Sequence, residues 1–261
     1  MSSANSKVVV ITGASGGIGA ALAKHLGEQG HQLALGARRE KELQEVAAPF
    51  GDNALAVVTD VTRREQVERL RDRALEKFGR VDVWVNNAGR GITRPVLELT
   101  DQDVDETMAI NLKSALYGMQ AIVPHFQSRG QGHLINISSF LGKVPIATHR
   151  AAYNAAKAGL NALTANLRMD LAKEYPNIHI SLVLPGVVAT DFAKNARYGT
   201  PGWPSGGAGR FAVQTAAEVA AQIADLIAHP APELFTNPDQ IEIYHRYCQD
   251  IAAFEEELKR R

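Results

Sequence analysis

The segment Lys7–Gly19, KVVVITGASGGIG, constrains the fold of this chain more than any other. Val8–Ile11 is an unbroken β-branched run, which is typical of a central parallel strand that is covered on both faces. Glycines follow at positions 13, 17 and 19 and lead into an alanine-rich stretch. The sequence therefore predicts a buried strand, a tight turn and a helix in direct succession.

This turn has the properties of a site for a phosphate-bearing nucleotide. We expect Gly13 to permit the tight turn, Gly17 to let a pyrophosphate approach the backbone, and Gly19 to let the helix pack closely on the strand. The first helical turn presents its free N–H groups and the positive end of its dipole to that pyrophosphate. The spacing Gly-x3-Gly-x-Gly differs from the more usual Gly-x-Gly-x-x-Gly, and a glycine-rich turn alone is also common at plain strand-to-helix junctions.

Composition favours a small-molecule ligand. The chain has 261 residues, enough to bury a large apolar core, and 28 basic residues balance 28 acidic ones. No overall charge therefore attracts nucleic acid or an anionic membrane. Cys248 is the single cysteine, which excludes an intrachain disulfide and a cysteine-rich zinc site, so we expect no metal. The polar start, MSSANSK, and the lack of a run of about 18 apolar residues predict a cytoplasmic protein without a membrane segment.

Hydrophobic periodicity predicts strands that alternate with helices. The predicted strands lie near residues 7–12, 32–36, 54–58, 81–85, 132–138 and 178–184, and the predicted helices lie near 17–29, 39–48, 63–78, 101–127 and 151–175. Such alternation gives a mostly parallel sheet, and right-handed crossovers place helices on both of its faces. We predict an α/β fold with a single doubly wound Rossmann domain over residues 1–261 and a ligand crevice at the carboxyl ends of the strands.

The second half of the chain adds two segments to the cofactor-binding and catalytic core, which we place at residues 7–190. The glycine- and proline-rich sequence GTPGWPSGGAGR at 199–210 predicts a flexible substrate lid over residues 191–212. A helix near 215–228 and a short seventh strand at Glu233–Thr236 follow. Asp239–Lys259 has the pattern of one further helix, so we expect a C-terminal helical extension over residues 237–261.

Tyr153 and Lys157 are a candidate catalytic pair. They lie four residues apart in AAYNAAKAGLNAL, a segment of high helical propensity, so both side chains emerge on one face. A free phenol has a pKa near ~10, and a nearby ammonium favours the phenolate and lowers that pKa. A tyrosine so placed can exchange a proton with an alcohol or carbonyl oxygen. The Tyr-x3-Lys spacing also occurs often by chance.

Other polar residues follow the fourth and fifth predicted strands. Ser138 and Ser139 end the run HLINISS, and a serine hydroxyl there can hold a substrate oxygen while charge develops on it. Asn86–Gly89, NNAG, follows the fourth strand. Asn111 lies inside a helical stretch, where asparagine is mildly unfavourable, and bending or capping the helix is the alternative to a functional role.

Taken together, these motifs closely resemble those of the classical short-chain dehydrogenase/reductase family. The matching residues occur in family order and span about residues 7–230: TGASGGIG at 12–19, NNAG at 86–89, Asn111, Ser139, YNAAK at 153–157 and PGVVAT at 185–190. The resemblance implies an oxidoreductase that interconverts a ketone or aldehyde and an alcohol by hydride transfer with a nicotinamide cofactor.

The resemblance also implies a role for each catalytic residue. Tyr153 would be the general acid/base, and Lys157 would lower its pKa and bind the nicotinamide ribose. Ser139 would orient and polarise the carbonyl, while Asn111 would anchor a water that links Lys157 to solvent. In many relatives the serine precedes the tyrosine by thirteen residues, whereas Ser139 precedes it by fourteen. An insertion of one residue in the loop at 140–152 explains this, so we prefer Ser139 over Ser138.

Cofactor contacts follow from the same resemblance. Asp60 would contact the adenine, Asn87–Gly89 would brace the glycine turn and touch the adenosine ribose, and Val188 and Thr190 would hold the nicotinamide carboxamide. The complete predicted set is Gly13, Ser15, Gly17, Ile18, Gly19, Arg38, Arg39, Asp60, Val61, Asn87, Ala88, Gly89, Tyr153, Lys157, Pro185, Gly186, Val188 and Thr190.

The end of the second predicted strand favours NADP(H) over NAD(H). NAD-dependent relatives usually carry an acidic residue there, which binds the ribose 2′-hydroxyl. This chain has Ala37, followed by Arg38 and Arg39, and a guanidinium can bind a 2′-phosphate through two parallel hydrogen bonds. The alternative is a pair of arginines on a solvated helix start.

Substrate contacts are expected after the fourth, fifth and sixth strands. Aromatic and apolar candidates suit a carbonyl on a hydrophobic body, and several arginines could instead steer an anion or be plain solvated surface. The candidates are Arg90–Arg94, Phe140, Leu141, His149, Phe192, Arg197, Tyr198, Trp203, Arg210 and Phe211.

We therefore predict an NADPH-dependent carbonyl reductase. One alternative is a 3-oxoacyl-carrier-protein reductase, which the tail argues against because such proteins usually end soon after an Asp-Gly-Gly signature. The other is a non-catalytic NADPH-sensing protein on the same fold. The alanine face at Ala155, Ala158 and Ala162 predicts a homodimer or homotetramer, unless that face packs within the subunit.

Overall fold

Strands and helices alternate along the chain in the computed structural model, which describes residues 6–199 and 212–260. The strands are β1 (Val8–Thr12), β2 (Gln32–Ala37), β3 (Ala54–Val58), β4 (Val83–Asn86), β5 (Gly132–Ile137), β6 (Ile178–Leu184), β7 (Val188–Ala189), β8 (Gln214–Thr215) and β9 (Glu233–Phe235). The α-helices are α1 (Gly17–Glu28), α2 (Glu40–Ala47), α3 (Arg64–Phe78), α4 (Asp101–Met108), α5 (Ser114–Arg129), α6 (Ala151–Ala172), α7 (Ala216–Ala228), α8 (Asp239–Gln249) and α9 (Ile251–Lys259).

The main sheet has the strand order β3-β2-β1-β4-β5-β6-β9, and every adjacent pair of strands in it is parallel. The chain runs outward from β1 to β3 and then returns to place β4 on the other side of β1. Connections that leave in opposite directions open a crevice at the carboxyl ends of β1 and β4. The predicted doubly wound Rossmann-type fold is therefore confirmed.

Side chains of β1 alternate between two apolar layers, because successive residues of a strand point to opposite faces. Val9 and Ile11 pack on one face against a layer that includes residues of α1 and α7. Val10 packs on the other face, in a layer with residues of α3, α5 and α6. Every residue of β1 is buried, which accounts for its continuous apolar sequence.

The predicted helix over 101–127 is interrupted. Between α4 and α5 the chain forms a π-helical turn at Ala109–Lys113, which contains Asn111. The Asn111 side chain donates a hydrogen bond to the carbonyl oxygen of Arg90 at 2.9 Å and accepts one from the Arg90 N–H at 3.1 Å. This distant partner shapes the turn, so the local sequence pattern missed the interruption.

The predicted C-terminal helix is likewise two helices. Asp250 separates α8 from α9 with an extended backbone, and its carboxylate accepts a hydrogen bond from the Ala253 N–H at 2.9 Å as the cap of α9. Phe254 of α9 packs with Phe140 and Val144, so the C-terminal helices cover the loop that follows β5. Lys143 of that loop forms an ion pair with Glu233 at 2.9 Å.

The short strands β7 and β8 pair with each other outside the main sheet. They bring the end of PGVVAT next to the start of α7. Part of the predicted lid, including Trp203, Arg210 and Phe211, lies outside the described residues. None of the helices in the described ranges is long and apolar enough to cross a membrane.

Candidate active site

A cavity of about 750 Å³ lies at the carboxyl ends of the strands. Its walls come from the segments that follow β1, β2, β3, β4, β5 and β6 and from the start of α6. The predicted residues that line it are Gly13, Ser15, Gly17, Ile18, Arg38, Arg39, Val61, Asn87, Ala88, Gly89, Ser139, Tyr153, Lys157, Pro185, Gly186, Val188 and Thr190. Three other predicted residues, Gly19, Asp60 and Asn111, lie behind the lining.

The glycine turn forms one end of the cavity. Gly13 and Gly17 have positive φ angles of 69° and 54°, a backbone region that favours glycine. A Cβ atom on Gly13 would lie 2.8 Å from the Cα of Ala88, so the two loops touch at the backbone. Gly16 precedes α1 and has no side chain that could cap it. The first N–H groups of α1 are therefore open to an anionic ligand.

The NNAG segment braces this turn from the neighbouring strand. The Thr12 hydroxyl oxygen accepts hydrogen bonds from the N–H groups of Asn87, at 3.0 Å, and Ala88, at 3.2 Å. The Asn87 side chain donates to the Thr12 carbonyl oxygen at 2.9 Å. A Cβ atom on Gly19 would lie 2.5 Å from the Asn87 amide nitrogen, so Gly19 supports the turn from behind.

Asp60 holds its own loop in place. Its carboxylate accepts hydrogen bonds from the N–H and the hydroxyl of Thr62, at 3.0 and 2.8 Å. Its N–H donates to the Gln66 side chain at 2.8 Å. The residues on either side of it, Thr59 and Val61, line the cavity instead.

Two arginines stand at the end of β2. Arg39 donates hydrogen bonds to the hydroxyl and the carbonyl oxygen of Ser15, at 3.2 and 3.0 Å, and lies 3.5 Å from a carboxylate oxygen of Glu42. Arg38 is exposed, and Ala37 before it is buried. Arg39 therefore borders the glycine turn, Arg38 lines the same cavity, and Ala37 provides no carboxylate at this position.

Tyr153, Lys157 and Ser139 meet at the other end of the cavity. The Lys157 ammonium nitrogen lies 5.7 Å from the centre of the Tyr153 ring, and it donates a hydrogen bond to the Ile137 carbonyl oxygen at 2.8 Å. The Ser139 side chain forms a hydrogen bond with the Tyr153 phenol. Ser138 points elsewhere, since its hydroxyl donates to the Asn161 side chain at 2.5 Å. The geometry thus places Ser139 beside the tyrosine.

Burial controls the protonation of this pair. It raises the pKa of Tyr153 to about 12, although the hydrogen bond from Ser139 and the positive charge of Arg150 act in the opposite direction. Burial also lowers the pKa of Lys157 to about 7. We expected Lys157 to lower the pKa of Tyr153. In this structure the effect of burial on that pKa is larger than the opposing effects of the Ser139 hydrogen bond and the nearby positive charge, and that charge is on Arg150. The phenol is therefore protonated at neutral pH.

Asn111 lies close behind Lys157. A Cβ atom on Gly89 would lie 3.0 Å from the Asn111 side-chain oxygen and 3.8 Å from the Lys157 ammonium nitrogen. Asn111 also donates a hydrogen bond to the Thr107 carbonyl oxygen at 3.1 Å. It therefore fixes the loop after β4 against α4 and brings that loop next to the lysine.

Two of the arginines suggested as anion-steering residues already have a carboxylate partner. Arg94 lies 2.8 Å and Arg197 lies 3.2 Å from the carboxylate of Asp103, which is fully buried at the start of α4. The Tyr198 hydroxyl donates to the same carboxylate at 3.0 Å. This cluster, which we call the Asp103 cluster, ties the segment after β4 to the start of the predicted lid.

Arg150 is a cavity residue that the sequence analysis missed. It is only 7% exposed and lies three residues before Tyr153, immediately before α6. The signal in the sequence THRAAYNAAK was its place three positions before Tyr153, at the start of the predicted helix. Arg150 therefore belongs to the same wall as the tyrosine.

The comparison with known families decides the identity of this arrangement. The family model described as short chain dehydrogenase matches residues 7–200. The chain belongs to the short-chain dehydrogenase family. A 33% identical relative, an uncharacterized oxidoreductase from Staphylococcus epidermidis, aligns over 199 residues, which are 76% of this chain and 85% of the relative. This short-chain dehydrogenase is thus an oxidoreductase that acts on CH–OH groups.

Solved structures resemble this short-chain dehydrogenase over most of its length. A short-chain dehydrogenase/reductase from Burkholderia phymatum in complex with NAD is 27% identical, with a TM-score of 0.85 and 95% of each chain covered. An alcohol dehydrogenase from Thermococcus sibiricus complexed with 5-hydroxy-NADP is 28% identical, with a TM-score of 0.77 and coverage of 89% and 97%. A 3-ketoacyl-(acyl-carrier-protein) reductase from Brucella melitensis complexed with NADH is 25% identical, with a TM-score of 0.77 and coverage of 88% and 96%. Neighbours of this dehydrogenase therefore bind either form of the nicotinamide cofactor.

Proposed function

We propose that this short-chain dehydrogenase is an NADPH-dependent reductase of ketones or aldehydes. The observation that carries the proposal is the meeting of a buried, protonated phenol with a serine hydroxyl on one wall of a cavity. The opposite end of the same cavity is an uncapped helix start beside two arginines. One end suits a reacting carbonyl, and the other suits the phosphates of a dinucleotide.

Tyr153 acts as the general acid in the reducing direction. Because its pKa is raised to about 12, the phenol carries its proton at neutral pH and can donate it to a carbonyl oxygen that gains negative charge. Ser139, which forms a hydrogen bond with that phenol, orients the same oxygen and stabilises its charge. In the oxidising direction the tyrosine must first lose its proton, so we expect oxidation to need a higher pH.

The residues around the glycine turn fit a dinucleotide. The backbone N–H groups at the start of α1 hold the pyrophosphate, Val61 and Asn87–Gly89 border the adenosine, and Val188 and Thr190 border the nicotinamide. When bound, the cofactor supplies the hydride of the reduction. Lys157 holds the cofactor ribose and, together with Asn111, connects the tyrosine to solvent protons.

We propose NADPH rather than NADH because of the wall formed by residues 37–39. Arg39 lies against the glycine turn and Arg38 lines the same cavity, and a guanidinium binds a phosphate through paired hydrogen bonds. The acidic residue that would bind a 2′-hydroxyl is replaced by Ala37, a buried alanine.

We also propose roles for three regions around the site: the lid, the C-terminal helices and the exposed face of α6. The start of the proposed substrate lid, at residues 191–199, is anchored by the Asp103 cluster. The C-terminal helices form a fixed wall behind the loop that follows β5. The chain assembles as at least a homodimer through α6, whose residues Ala155, Ala158 and Ala162 are exposed on the subunit rather than packed within it.

The alternative function is that of a 3-oxoacyl-carrier-protein reductase, and the neighbour from Brucella melitensis is such an enzyme. The C-terminal helices argue against this alternative. In this chain α8 and α9 pack against the loop that lines the substrate end of the cavity. We propose that this wall suits a small free carbonyl compound better than one attached to a carrier protein.

A substrate screen tests the proposed function. Purified protein is mixed with NADPH or with NADH and a panel of ketones, aldehydes and a 3-oxoacyl thioester, and the loss of absorbance of the reduced cofactor is followed. We expect turnover of free carbonyl compounds with a higher kcat/KM for NADPH. Binding of NADPH without turnover of any compound would instead support a sensing protein.

A further inference from the structure

Arg150 is a buried cation in the wall of the active-site cavity. Its side chain borders Gly91, where an added Cβ atom would lie 2.8 Å from the Arg150 Nη1 atom and 3.2 Å from the Phe192 ring. The Phe192 ring is also in edge contact with the Tyr153 ring, with 5.6 Å between their centres. The guanidinium, the phenol and the phenylalanine ring therefore lie together at the substrate end of the cavity.

Within the described ranges, the Arg150 guanidinium has neither a carboxylate partner nor a hydrogen-bond acceptor. Asp103 is held by Arg94, Arg197 and Tyr198. Asp191, an acidic residue that lines the cavity, is exposed and pairs with Lys194 at 3.0 Å. The sequence at residues 1–5, 200–211 and 261 contains no aspartate or glutamate.

An unpaired buried charge is costly, and an anionic ligand that pairs with it offsets that cost. Burial lowers the pKa of Arg150, which is a sign of the same cost, and the Tyr153 phenol partly offsets it. The cofactor phosphates do not meet this need, since the uncapped start of α1 and the arginines at 38 and 39 serve them at the other end of the cavity. The remaining candidate for a partner is the substrate.

We propose that Arg150 binds the carboxylate of an anionic substrate, so that the natural substrate class of this enzyme is short oxo acids. The inference rests on the proposed function, because it names the substrate of the same site. A guanidinium binds a carboxylate through two parallel hydrogen bonds, which also fixes the orientation of the substrate.

The shared neighbour Phe192 limits the length of such a substrate. Arg150 lies immediately before α6, three positions before Tyr153, and both side chains lie beside the Phe192 ring. A carboxylate on Arg150 and a carbonyl oxygen on Tyr153 are then separated by a few bonds. We therefore expect 3-oxo and 4-oxo acids to fit, and we expect their esters to lose the contact with Arg150.

The experiment compares charged acids with neutral esters that are larger by a single methyl group. The probes are acetoacetate with its methyl ester and 4-oxopentanoate with its methyl ester, each reduced with NADPH by the wild type and by Arg150→Met. We expect the wild type to prefer the acids, and the variant to lose about 10- to 100-fold in kcat/KM for the acids while the esters change by less than about threefold.

Two further variants separate charge from folding. Arg150→Lys keeps the charge but not the paired geometry, so it should retain part of the preference for acids. Arg63→Met removes an arginine that holds the same position before α3, with its side chain 63% exposed, and should leave all four rates unchanged. Thermal unfolding of each variant with NADPH verifies that it is folded.

The outcomes distinguish the two proposals. An unchanged ratio of acid to ester rates in Arg150→Met would overturn the role of Arg150 while leaving the carbonyl reductase in place. Equal losses for acids and esters would also overturn it, because Arg150 would then act through Tyr153 or through folding. A wild type that reduces neither acids, esters nor any other carbonyl compound would overturn the proposed function and this inference with it.

Discussion

The ammonium nitrogen of Lys157 lies 5.7 Å from the centre of the Tyr153 ring while it donates a hydrogen bond to the last carbonyl of β5, that of Ile137. The helix spacing of four residues brings the two side chains together, and the strand end fixes the lysine. Both groups are buried, which shifts both of their pKa values toward the uncharged forms. The phenol is therefore neutral at pH 7, and the ammonium beside it is easily deprotonated.

Lys157 makes stability depend on pH. Burial lowers its pKa from 10.5 to about 7, so between these values the unfolded chain binds more protons than the folded chain. The contribution of Lys157 to the free energy of unfolding then rises with pH, by at most about 1.4 kcal/mol per pH unit. Urea unfolding from pH 7 to 10 should show that the free energy of unfolding of the wild type rises relative to that of Lys157→Met.

Lys173→Met, which removes an exposed ammonium just after the same helix, is the control. A difference in unfolding free energy between the wild type and Lys157→Met that falls as the pH rises would contradict this prediction.

Asp103 anchors the start of the predicted lid. Burial opposes ionisation of its carboxyl, but hydrogen bonds from Thr100, Tyr198 and Arg94 outweigh burial and lower the pKa to about 2. Asp103→Asn leaves the arginines around it without their counter-charge, so we expect a lower Tm at pH 7 and a higher KM for substrate. The stabilisation by the ionised Asp103 carboxylate is present above pH 3.8 and is lost as the pH falls through about 2. The difference in Tm between the wild type and Asp103→Asn should therefore become smaller in that pH range.

Asp101→Asn is the control for the Asp103 prediction. It changes an exposed carboxylate in the same first turn of α4 and shares the same helix-dipole interaction. Equal losses of Tm in the two variants would show that the ion pairs of the Asp103 cluster add nothing.

The arginines after β2 should set the cofactor preference. The double variant Arg38→Ala/Arg39→Ala should raise the KM for NADPH about 10- to 100-fold, because it removes charge-assisted hydrogen bonds to the 2′-phosphate, and should change the KM for NADH by less than about threefold. Lys41→Ala, which removes an exposed charge from α2, is the control. A similar rise in KM for both cofactors would place the two arginines outside 2′-phosphate recognition.

Phe254 tests the role of the C-terminal helices. Its ring is 8% exposed and packs with Phe140 and Val144 of the loop that follows β5. Phe254→Ala should cost about 3 kcal/mol of unfolding free energy and raise the KM for substrate, while the Kd for NADPH stays unchanged. Leu258→Ala, at a position 40% exposed on the same helix, should have little effect on either. An unchanged substrate KM in the Phe254 variant would remove α9 from the substrate site.

The sheet could be predicted from sequence because its inner strands are buried and therefore largely apolar, as in Val8–Ile11. Its parallel arrangement follows from the regular alternation with helices. The breaks within helices depend on other contacts. The π-helical turn at Asn111 rests on hydrogen bonds to Arg90, a partner 21 residues away, whereas the break at Asp250 carried a local signal, an aspartate that caps a new helix.

The site shows the same division. Motif order predicts a cavity wall that contains Tyr153, Lys157 and Ser139, and the structure places them there. Whether a given arginine is free or paired depends on tertiary contacts, so the sequence could not distinguish Arg94, which binds Asp103, from Arg150, which borders the tyrosine. The direction of the Tyr153 pKa shift also depends on burial, which a spacing of four residues does not reveal.

Replacement of the phenol tests whether Tyr153 is the proton donor. Single-turnover reduction of a carbonyl substrate by the NADPH-loaded enzyme is measured for the wild type and for Tyr153→Phe, and NADPH binding is measured separately by fluorescence. We expect a rate lower by about 10²- to 10⁴-fold in the variant, with an NADPH affinity within about threefold of the wild type. Equal rates in the two proteins would contradict the assignment of Tyr153 as the proton donor.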